Sequence, residues 1–457
     1  MIRYSIVTFG CRVNQADSLR IEEELRVRGG VDVASNQADI IVVNTCSVTS
    51  TADQGARQAI RRIARDNPSA RVVVTGCYAT RCSDEVASLP AVVRIVRNER
   101  KDQLVSAIGD VLDECDRPTV SGASATTAER YGEGEGSCGA AIQPGVAGRT
   151  AFTLRVQTGC EERCSYCIIP DTRGAGRSMP IPDVVREAER VAQAGFRDVA
   201  ITGVHLGSYG RDLSPSSSLI DLLRALNEIP ADVVFRISSL EPMDCSPEIV
   251  DLVATSAGRF APHFHLPLQH ASDRVLARMR RPYTLAYYRR LVDDIASRLP
   301  EPSIGSDMIV GFPGEADPDF EANLAYLPVA PISHLHVFPY SDRPGTEAAV
   351  MPDRVHGSVI RERASALRAI GAELSSRFRS RQVGTLRLGL TLEDGTLVLT
   401  DNYLKVRVTA GLPRNVRVTV RIDSAREILR GTVVATEVTT ASASRAADQA
   451  LSFATTR

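Results

Sequence analysis

No single sign of charge dominates this chain of 457 residues, because 54 Lys and Arg side chains nearly balance 55 Asp and Glu. With a formal net charge of -1, the chain has no global field for nucleic acid or an anionic membrane, so such a partner would need a local patch. No apolar run reaches the roughly 18 residues of a transmembrane helix, and we predict no membrane partner. The first residues also lack the basic and apolar regions of a signal peptide, which indicates a cytoplasmic protein.

Cysteine, in contrast, is unusually abundant for a cytoplasmic chain. Thiols stay reduced in the cytosol, so ten cysteines indicate metal binding or catalysis rather than disulfides. The hydrophobic content of 43% and the charged content of 24% are ordinary for a globular protein with a packed core. At about 150 residues per domain, the length predicts two or three domains.

Residues 1–115 are predicted to form a small α/β domain. Apolar runs at 4–9, 40–43 and 70–75 are typical of buried strands, and residues 17–28 and 53–65 have helical periodicity. Alternation of strands and helices at this spacing predicts a small parallel sheet covered by helices. Residues 116–148 are rich in Ser, Thr, Ala and Gly, which is typical of a linker.

Residues 149–375 resume the alternation and are predicted to form a partial (β/α)6 barrel. Its active site would lie at the C-terminal ends of the strands. The candidate strands are 152–157, 199–202, 233–238, 263–268, 305–310 and 334–339.

Residues 380–437 change character again, and their short strands predict a small antiparallel β-barrel. A hairpin turn is expected at Asp394 and Gly395. The tail, residues 438–457, is rich in Ala, Ser and Thr and is predicted to be disordered.

Cys160, Cys164 and Cys167 form a C-x3-C-x2-C motif directly after the first predicted barrel strand. Soft thiolate ligands select iron–sulfur clusters or zinc. Three local ligands leave one position of a cluster open, whereas a structural zinc site needs four protein ligands. The alternatives are three unrelated cysteines, or a zinc knuckle with a distant fourth ligand.

Cys11, Cys46 and Cys77 each follow the end of one predicted N-terminal strand. Because parallel strands bring their C-terminal ends to one edge of a sheet, we expect these three thiols to converge as a second metal site. The alternative is three buried apolar cysteines. The other four are interpreted as non-ligands, namely Cys82, Cys115, Cys138 and Cys245.

The C-x3-C-x2-C motif resembles that of radical S-adenosylmethionine (SAM) enzymes. The resemblance implies a 4Fe-4S cluster on this triad, whose open iron chelates SAM. It also implies that Tyr166 lies near the adenine, and that Thr202 and Gly203 end a strand that supports the amino group of SAM. Ser239 and Asp307 are further candidate SAM-binding residues on the same rim of the barrel. For each of them, ordinary loop or strand-end chemistry is the alternative.

Over nearly its whole length the chain resembles the methylthiotransferases. Residues 401–406 match the core stretch of the RNA-binding TRAM barrel of that family. The resemblance implies a second 4Fe-4S cluster on Cys11, Cys46 and Cys77, radical chemistry at an unreactive C–H position, and methylation by a second SAM. It further implies an electron donor such as a flavodoxin or ferredoxin.

Two short motifs resemble the branch that modifies threonylcarbamoyladenosine in tRNA. Residues 11–14 read CRVN, close to the CKVN of that branch, and residues 44–49 read NTCSVT. The substrate implied is threonylcarbamoyladenosine at position 37 of the tRNA anticodon loop, thiomethylated at carbon 2. The alternatives within the family are isopentenyladenosine in tRNA and an aspartate of a ribosomal protein.

The predicted C-terminal barrel offers a local basic patch. Residues 381–437 contain nine Lys and Arg against six Asp and Glu, and an excess of this kind can contact RNA phosphates. Alternation along a strand would place Tyr403, Lys405 and Arg407 on one face, as candidate RNA-binding residues. A solvated strand face is the alternative.

The histidines and the iron–sulfur motif each allow a further alternative. His263, His265 and His270 could suggest a metal site, although alternating histidines more often divide between the buried side and the rim of a strand. The chain could also be a non-catalytic iron–sulfur protein that binds RNA. The open three-cysteine motif disfavours that function, because a structural cluster takes four cysteines.

Overall fold

The structure is a computed structural model that describes residues 2–113, 150–409, 411–426 and 428–436. The chain divides into two compact units, Met1–Phe378 and Arg379–Arg457. The predicted linker at 116–148 and the predicted tail at 438–457 lie outside the described residues, as do Cys115 and Cys138. Across the described ranges, no helix is both long and apolar enough to pass through a membrane.

The first unit begins with a parallel sheet whose described strands have the order β2-β1-β3-β4-β5. Every residue of the central strand β3 is buried, because alternate side chains pack against helices on opposite faces of the sheet. The strands are β1 (Arg3–Thr8), β2 (Val31–Asp32), β3 (Ile40–Thr45), β4 (Arg71–Gly76) and β5 (Val92–Val96). The helices are α1 (Arg12–Val27), α2 (Ser50–Asp66), α3 (Cys77–Arg81), α4 (Ser83–Ala87) and α5 (Leu104–Asp113).

The second part of this unit is an incomplete barrel. Its parallel strands form two three-stranded sheets, with the orders β10-β9-β6 and β11-β12-β13. A hydrogen bond of 2.9 Å from Leu240 N to His265 O joins the two sheets. The strands are β6 (Phe152–Arg155), β9 (Asp198–Thr202), β10 (Val234–Ile237), β11 (His263–His265), β12 (Ser303–Val310) and β13 (His334–Pro339), and a short hairpin is formed by β7 (Gln157–Thr158) and β8 (Arg177–Ser178).

Helices connect consecutive strands of the barrel and cover its outer surface, as the apolar periodicity of the sequence predicts. Their apolar faces join the strands in one large core cluster that includes Val184, Leu222, Val250 and Val292. The helices are α6 (Ile169–Arg173), α7 (Ile181–Gln193), α8 (Leu219–Asn227), α9 (Pro247–Thr255), α10 (Asp273–Arg278), α11 (Leu285–Arg298), α12 (Asp317–Tyr326) and α13 (Gly357–Arg381).

The N-terminal sheet contacts the barrel near both of its edge strands. Arg155 at the end of β6 forms an ion pair with Asp17 of α1. Beyond the end of β13, Arg343 lies 3.1 Å from Asp53 of α2. The barrel is open between β6 and β13, which do not pair among the described strands. Helices α1 and α2 of the sheet domain therefore lie at this opening.

The second unit is a closed barrel with the strand order β14-β15-β16-β18-β17. The predicted small β-barrel is confirmed, with one refinement. The pairing of β16 with β18 is parallel, whereas the other four pairs are antiparallel. The strands are β14 (Leu386–Leu392), β15 (Leu397–Thr400), β16 (Lys405–Arg407), β17 (Arg417–Ala425) and β18 (Leu429–Thr436).

Candidate active site

Cys160, Cys164 and Cys167, which we call the barrel triad, lie in the loop between β7 and α6. The backbone N–H of Cys160 donates to Gly174 O at 3.0 Å, and that of Cys167 donates to Cys164 O at 3.1 Å. Gly159 precedes the loop with φ +79°, and a Cβ there would lie 1.9 Å from Ala175 O. Only glycine permits this close approach, so the backbone itself presents the three thiols together.

Two buried side chains support the barrel triad, Arg281 from the connection between α10 and α11 and His205 from the loop after β9. Arg281 donates to Cys164 Sγ at 3.1 Å and forms an ion pair with Glu241. The ring of His205 lies 2.8 Å from Asp244 Oδ2. Burial lowers the pKa of His205, but hydrogen bonds to Asp244 and Cys160 outweigh it and raise the pKa to about 9. Positive charge therefore lies next to two of the three sulfur atoms.

The thiols of the barrel triad suit a cluster better than a single ion. They line a cavity of about 470 Å³. In the part of the chain that the structure describes, no three His, Cys, Asp or Glu side chains lie close enough to hold one metal ion. A 4Fe-4S cluster binds each thiolate through a different iron, so its ligands surround a cavity rather than one point. The donor set and the cavity therefore fit such a cluster.

Cys11, Cys46 and Cys77, the N-terminal triad, follow β1, β3 and β4 at one edge of the sheet. Gly10 has φ +88°, and a Cβ there would lie 2.4 Å from Cys46 Sγ, so the loop that carries Cys11 touches Cys46. Burial raises the pKa of Cys46 to about 11, and the charges of Cys11 and Cys77 add to this shift. The structure thus brings the three predicted thiols together, with one exposed and two buried.

Burial makes the thiolate form costly in both triads. It raises the pKa of Cys167 to about 12 and that of Cys46 to about 11. Both thiols therefore stay protonated near neutral pH unless a bound cation stabilises the thiolate. Iron would supply that charge, so the N-terminal triad also fits a cluster.

Helix α6 connects the two triads, a feature that the sequence interpretation missed. The helix begins two residues after Cys167 and ends at Arg173, whose side chain donates to Asn14 Oδ1 at 2.5 Å and to Thr158 Oγ1 at 3.1 Å. Asn98 donates to Thr172 O at 2.8 Å and lies 3.6 Å from Cys77 Sγ. The C-terminal end of α6 therefore lies against residues that contact Cys77, and its N-terminal end follows Cys167. Only the short spacing between Cys167 and Arg173 could have drawn attention to this element.

A buried group of charges holds this junction. Asp17 is fully buried and lies 2.8 Å from Lys101 Nζ and 3.4 Å from Arg173, with Arg155 as a third partner. Burial raises the pKa of Asp17, but these three cations outweigh it and hold the pKa well below its usual range. The sequence alone shows no signal for this group, because its members are distant in the chain.

The predicted SAM-binding residues occupy separate places around the mouth of the barrel. The ring of Tyr166 packs edge-to-face on Phe312, with centroids 6.5 Å apart. A Cβ on Gly203 would lie 3.0 Å from Gln157 Oε1, and Thr202 is buried at the end of β9. The structure brings Ser239 and Asp307 close together, since each contacts His265.

Of the three histidines that could suggest a metal site, only His265 contacts Ser239 and Asp307, and the described residues contain no group of side chains that could hold a single ion. His265 contacts Ser239 Oγ at 2.8 Å and Asp307 Oδ1 at 3.1 Å. His263 is buried, which holds its pKa well below the usual value. His270 is buried too and contacts Asn323 at 3.0 Å.

In the second unit, the structure separates Tyr403 from the strand that carries Lys405 and Arg407. Tyr403 has φ +68° and lies in the turn before β16. The sequence predicts that strand alternation places Tyr403 on one face with Lys405 and Arg407. In the structure the strand begins at Lys405, so the alternation does not include Tyr403. Lys405 and Arg407 are exposed on β16, and Val406 between them is fully buried. Tyr403 is 38% exposed, so all three side chains reach the surface of the barrel.

Comparison with known proteins identifies both parts of the first unit. Residues 3–98 match the family described as "Uncharacterized protein family UPF0004", and residues 154–327 match the radical SAM superfamily. A structure of the radical SAM methyltransferase TsrM from Kitasatospora setae, 17% identical, aligns with a TM-score of 0.54 over 77% of this chain and 74% of its own. That likeness shows the fold.

Two similar curated proteins are methylthiotransferases. Threonylcarbamoyladenosine tRNA methylthiotransferase MtaB from Aquifex aeolicus is 34% identical, with 89% of this chain and 96% of that protein covered. Ribosomal protein uS12 methylthiotransferase RimO from Desulforudis audaxviator is 35% identical, with 84% of each chain covered. On this similarity, and with both families matched along its length, the chain belongs to the methylthiotransferase family of radical SAM enzymes.

Proposed function

We propose that this protein transfers a methylthio group to carbon 2 of N6-threonylcarbamoyladenosine at position 37 of tRNA. The observation that carries the chemistry is the presence of two three-cysteine sets in one unit, linked through α6, which follows Cys167 and whose Thr172 accepts a hydrogen bond from Asn98 beside Cys77. The name of the Aquifex relative supports the substrate, as do the motifs at 11–14 and 44–49. The relative named for ribosomal protein uS12 makes a protein aspartate the alternative substrate.

The two triads have different roles in this proposal. Cys160, Cys164 and Cys167 would hold a 4Fe-4S cluster that would supply the electron for cleavage of SAM, and Cys11, Cys46 and Cys77 would hold a second cluster that would supply the sulfur. Arg281 and His205 hold two thiols of the barrel triad in place and keep positive charge beside them. At Cys77, Asn98 donates to the thiol and Arg173 supplies the positive charge, and both residues also contact or belong to α6.

The remaining site residues have proposed binding roles. Tyr166, Thr202, Gly203, Ser239 and Asp307 would contact SAM around the mouth of the barrel. The exposed side chains on β16 and the turn before it would bind tRNA. A small electron-transfer protein such as a flavodoxin or ferredoxin would supply the electron.

Nucleoside mass spectrometry of tRNA tests the substrate. A strain that lacks this gene should lose 2-methylthio-threonylcarbamoyladenosine, and the wild-type gene should restore it, whereas Cys46→Ala and Cys160→Ala should not. Loss of thiomethylated isopentenyladenosine, or of thiomethylated ribosomal protein, would instead identify one of the alternative substrates.

Purified variants test whether the barrel triad serves SAM cleavage and the N-terminal triad serves sulfur transfer. The reduced Cys46→Ala protein should still cleave SAM to 5'-deoxyadenosine but form no thiomethylated nucleoside, because its barrel triad is intact. Failure of the wild-type protein to cleave SAM would favour the non-catalytic iron–sulfur protein.

Iron content tests the two-cluster proposal. Anaerobically reconstituted protein should hold about eight irons, four for each cluster. Replacement of the barrel triad by alanine should leave about four irons on the N-terminal triad. A folded triple variant that holds no iron would contradict two independent sites.

A further inference from the structure

A cavity of about 270 Å³ lies between the N-terminal sheet and the start of the barrel. Lys101 and Arg173 form its buried floor, and the exposed side chain of Arg177 lies at its rim. Thr158 and Arg173, which flank the loop of the barrel triad, also line it. The cavity therefore opens to solvent next to the candidate active site without containing a cysteine.

Positive charge dominates this cavity. Its lining contains five cationic side chains but two carboxylates, Asp17 and Asp102. Asp17 is already shared by three of the cations, and Asp102 is 62% exposed, where solvent weakens its charge. The cationic residues are Arg20, Lys101, Arg155, Arg173 and Arg177.

Hydrogen-bond donors in the cavity also exceed the acceptors that the chain provides. The Nε of Arg20 makes no hydrogen bond among the described residues, although this side chain forms ion pairs with Glu24 at 3.6 Å and with Asp102. Arg177 begins β8, and no described acidic side chain lies within ion-pair distance of it. Guanidinium groups present several N–H donors in a planar fork that matches the oxygens of phosphate. A phosphate would thus pair with Arg177 and offset the excess of positive charge that Asp17 and Asp102 leave in the cavity.

We infer that this cavity binds a backbone phosphate of the RNA substrate through Arg20, Arg155 and Arg177. The inference rests on the proposed function, since it assigns one contact of the same tRNA. A phosphate bound here would hold the RNA beside the loop of the barrel triad, so the cavity would orient the target nucleotide as well as add affinity.

Binding of tRNA to Arg177 variants tests this site. Arg177→Ala should weaken binding about five- to tenfold, and Arg177→Glu should weaken it further, because charge reversal repels the phosphate. The slope of log affinity against log salt concentration should fall by about 0.7–0.9 in Arg177→Ala. Arg186→Ala is the matched control, because Arg186 is exposed on α7, 70% accessible, and paired with Asp183.

Competition with inorganic phosphate distinguishes a site for the phosphate of the RNA backbone from a site for free phosphate. The expected result is that free phosphate at millimolar concentration competes weakly with tRNA in the wild type and less in Arg177→Glu. Variants that match the wild type in tRNA affinity and salt slope would overturn the inference while leaving the proposed function intact. If the wild type binds no tRNA, the proposed function fails, and calorimetry with inorganic phosphate decides the site. Weaker phosphate binding by Arg177→Glu would support it, and equal binding would overturn it.

Discussion

Asp17 is the residue on which the junction between the N-terminal sheet and the barrel depends. Its carboxylate has no exposed surface and forms ion pairs with Lys101, Arg155 and Arg173. Two of these cations, Lys101 and Arg173, are themselves only 3% exposed. Removal of one partner from a buried charge group leaves the others uncompensated in a medium of low dielectric constant.

We therefore predict that Asp17→Asn lowers the free energy of unfolding by about 3–5 kcal/mol. The measurement is urea denaturation followed by circular dichroism. Asp66→Asn is the control, because Asp66 pairs with Arg65 at the surface, where the two side chains are 53% and 74% exposed, and it should change stability by less than about 1 kcal/mol. Equal stability of the two variants would contradict the role of Asp17.

Arg281 is the second residue with a specific expected effect. It donates directly to Cys164 Sγ, and hydrogen bonds to ligand sulfur atoms raise the reduction potential of an iron–sulfur cluster. Arg281→Ala should therefore lower the potential of the barrel cluster, measured by a redox titration monitored by electron paramagnetic resonance. Arg290→Ala, at an exposed position of α11, should leave it unchanged. An unchanged potential in a folded Arg281→Ala protein would show that the bond has no electronic effect.

At the scale of elements, strand β16 divides its side chains between the core and the surface of the C-terminal barrel. Val406 packs in the apolar cluster of the barrel with Val398 and Val420. Lys405 and Arg407 point away from that cluster and are exposed. This arrangement leaves both cations available to RNA phosphates without any cost to the core.

We predict that Lys405→Ala and Arg407→Ala each reduce the salt slope of tRNA binding by roughly 0.7–0.9. Tyr403→Ala should weaken binding by about 1–3 kcal/mol if a base stacks on the ring. Fluorescence anisotropy with labelled tRNA at several salt concentrations measures both effects. Arg368→Ala, exposed on α13, is the charge-matched control, and an effect equal to that of the β16 variants would mean that general charge rather than this strand binds the RNA.

At the scale of the whole molecule, buried histidines set the response to acid. Burial lowers the pKa of His270 to about 4, and the same cause lowers that of His334 to about 4. The unfolded chain would protonate these rings near pH 6.5, so it binds more protons than the folded chain between pH 6.5 and 4. Stability therefore falls as the pH decreases through this range.

We predict that acidification from pH 6.5 to 4 costs about 3 kcal/mol for His270 alone. Urea denaturation at several pH values measures the slope, and His270→Gln should reduce it. His356→Gln, at an exposed histidine, should leave the slope unchanged. A free energy of unfolding that is constant between pH 6.5 and 4 would contradict this assignment.

The sequence by itself was sufficient for the fold class and for the order of the longer buried strands. Apolar runs located the strands of the first sheet, the barrel and the C-terminal domain, because a buried strand must be apolar along its length. It missed the edge strands β2 and β5, since β2 has two residues and only one residue of β5 is fully buried. The parallel pairing of β16 with β18 could not be predicted either, because the periodicity of a strand does not show which neighbour it pairs with.

In the candidate site too, some residues could be predicted from the sequence and others only from the tertiary structure. The cysteines were predictable because three lie within one short motif, and the others each follow a strand of one parallel sheet. Only the tertiary structure brought Asp17 to Arg173 at the end of α6, and Asn98 to both Cys77 and Thr172. Asp17 and Arg173 are 156 residues apart in the chain, and their pairing depends on the packing of α1 and α6. Local sequence determines which segments fold into strands and helices, whereas contacts between distant side chains are decided when those elements pack together.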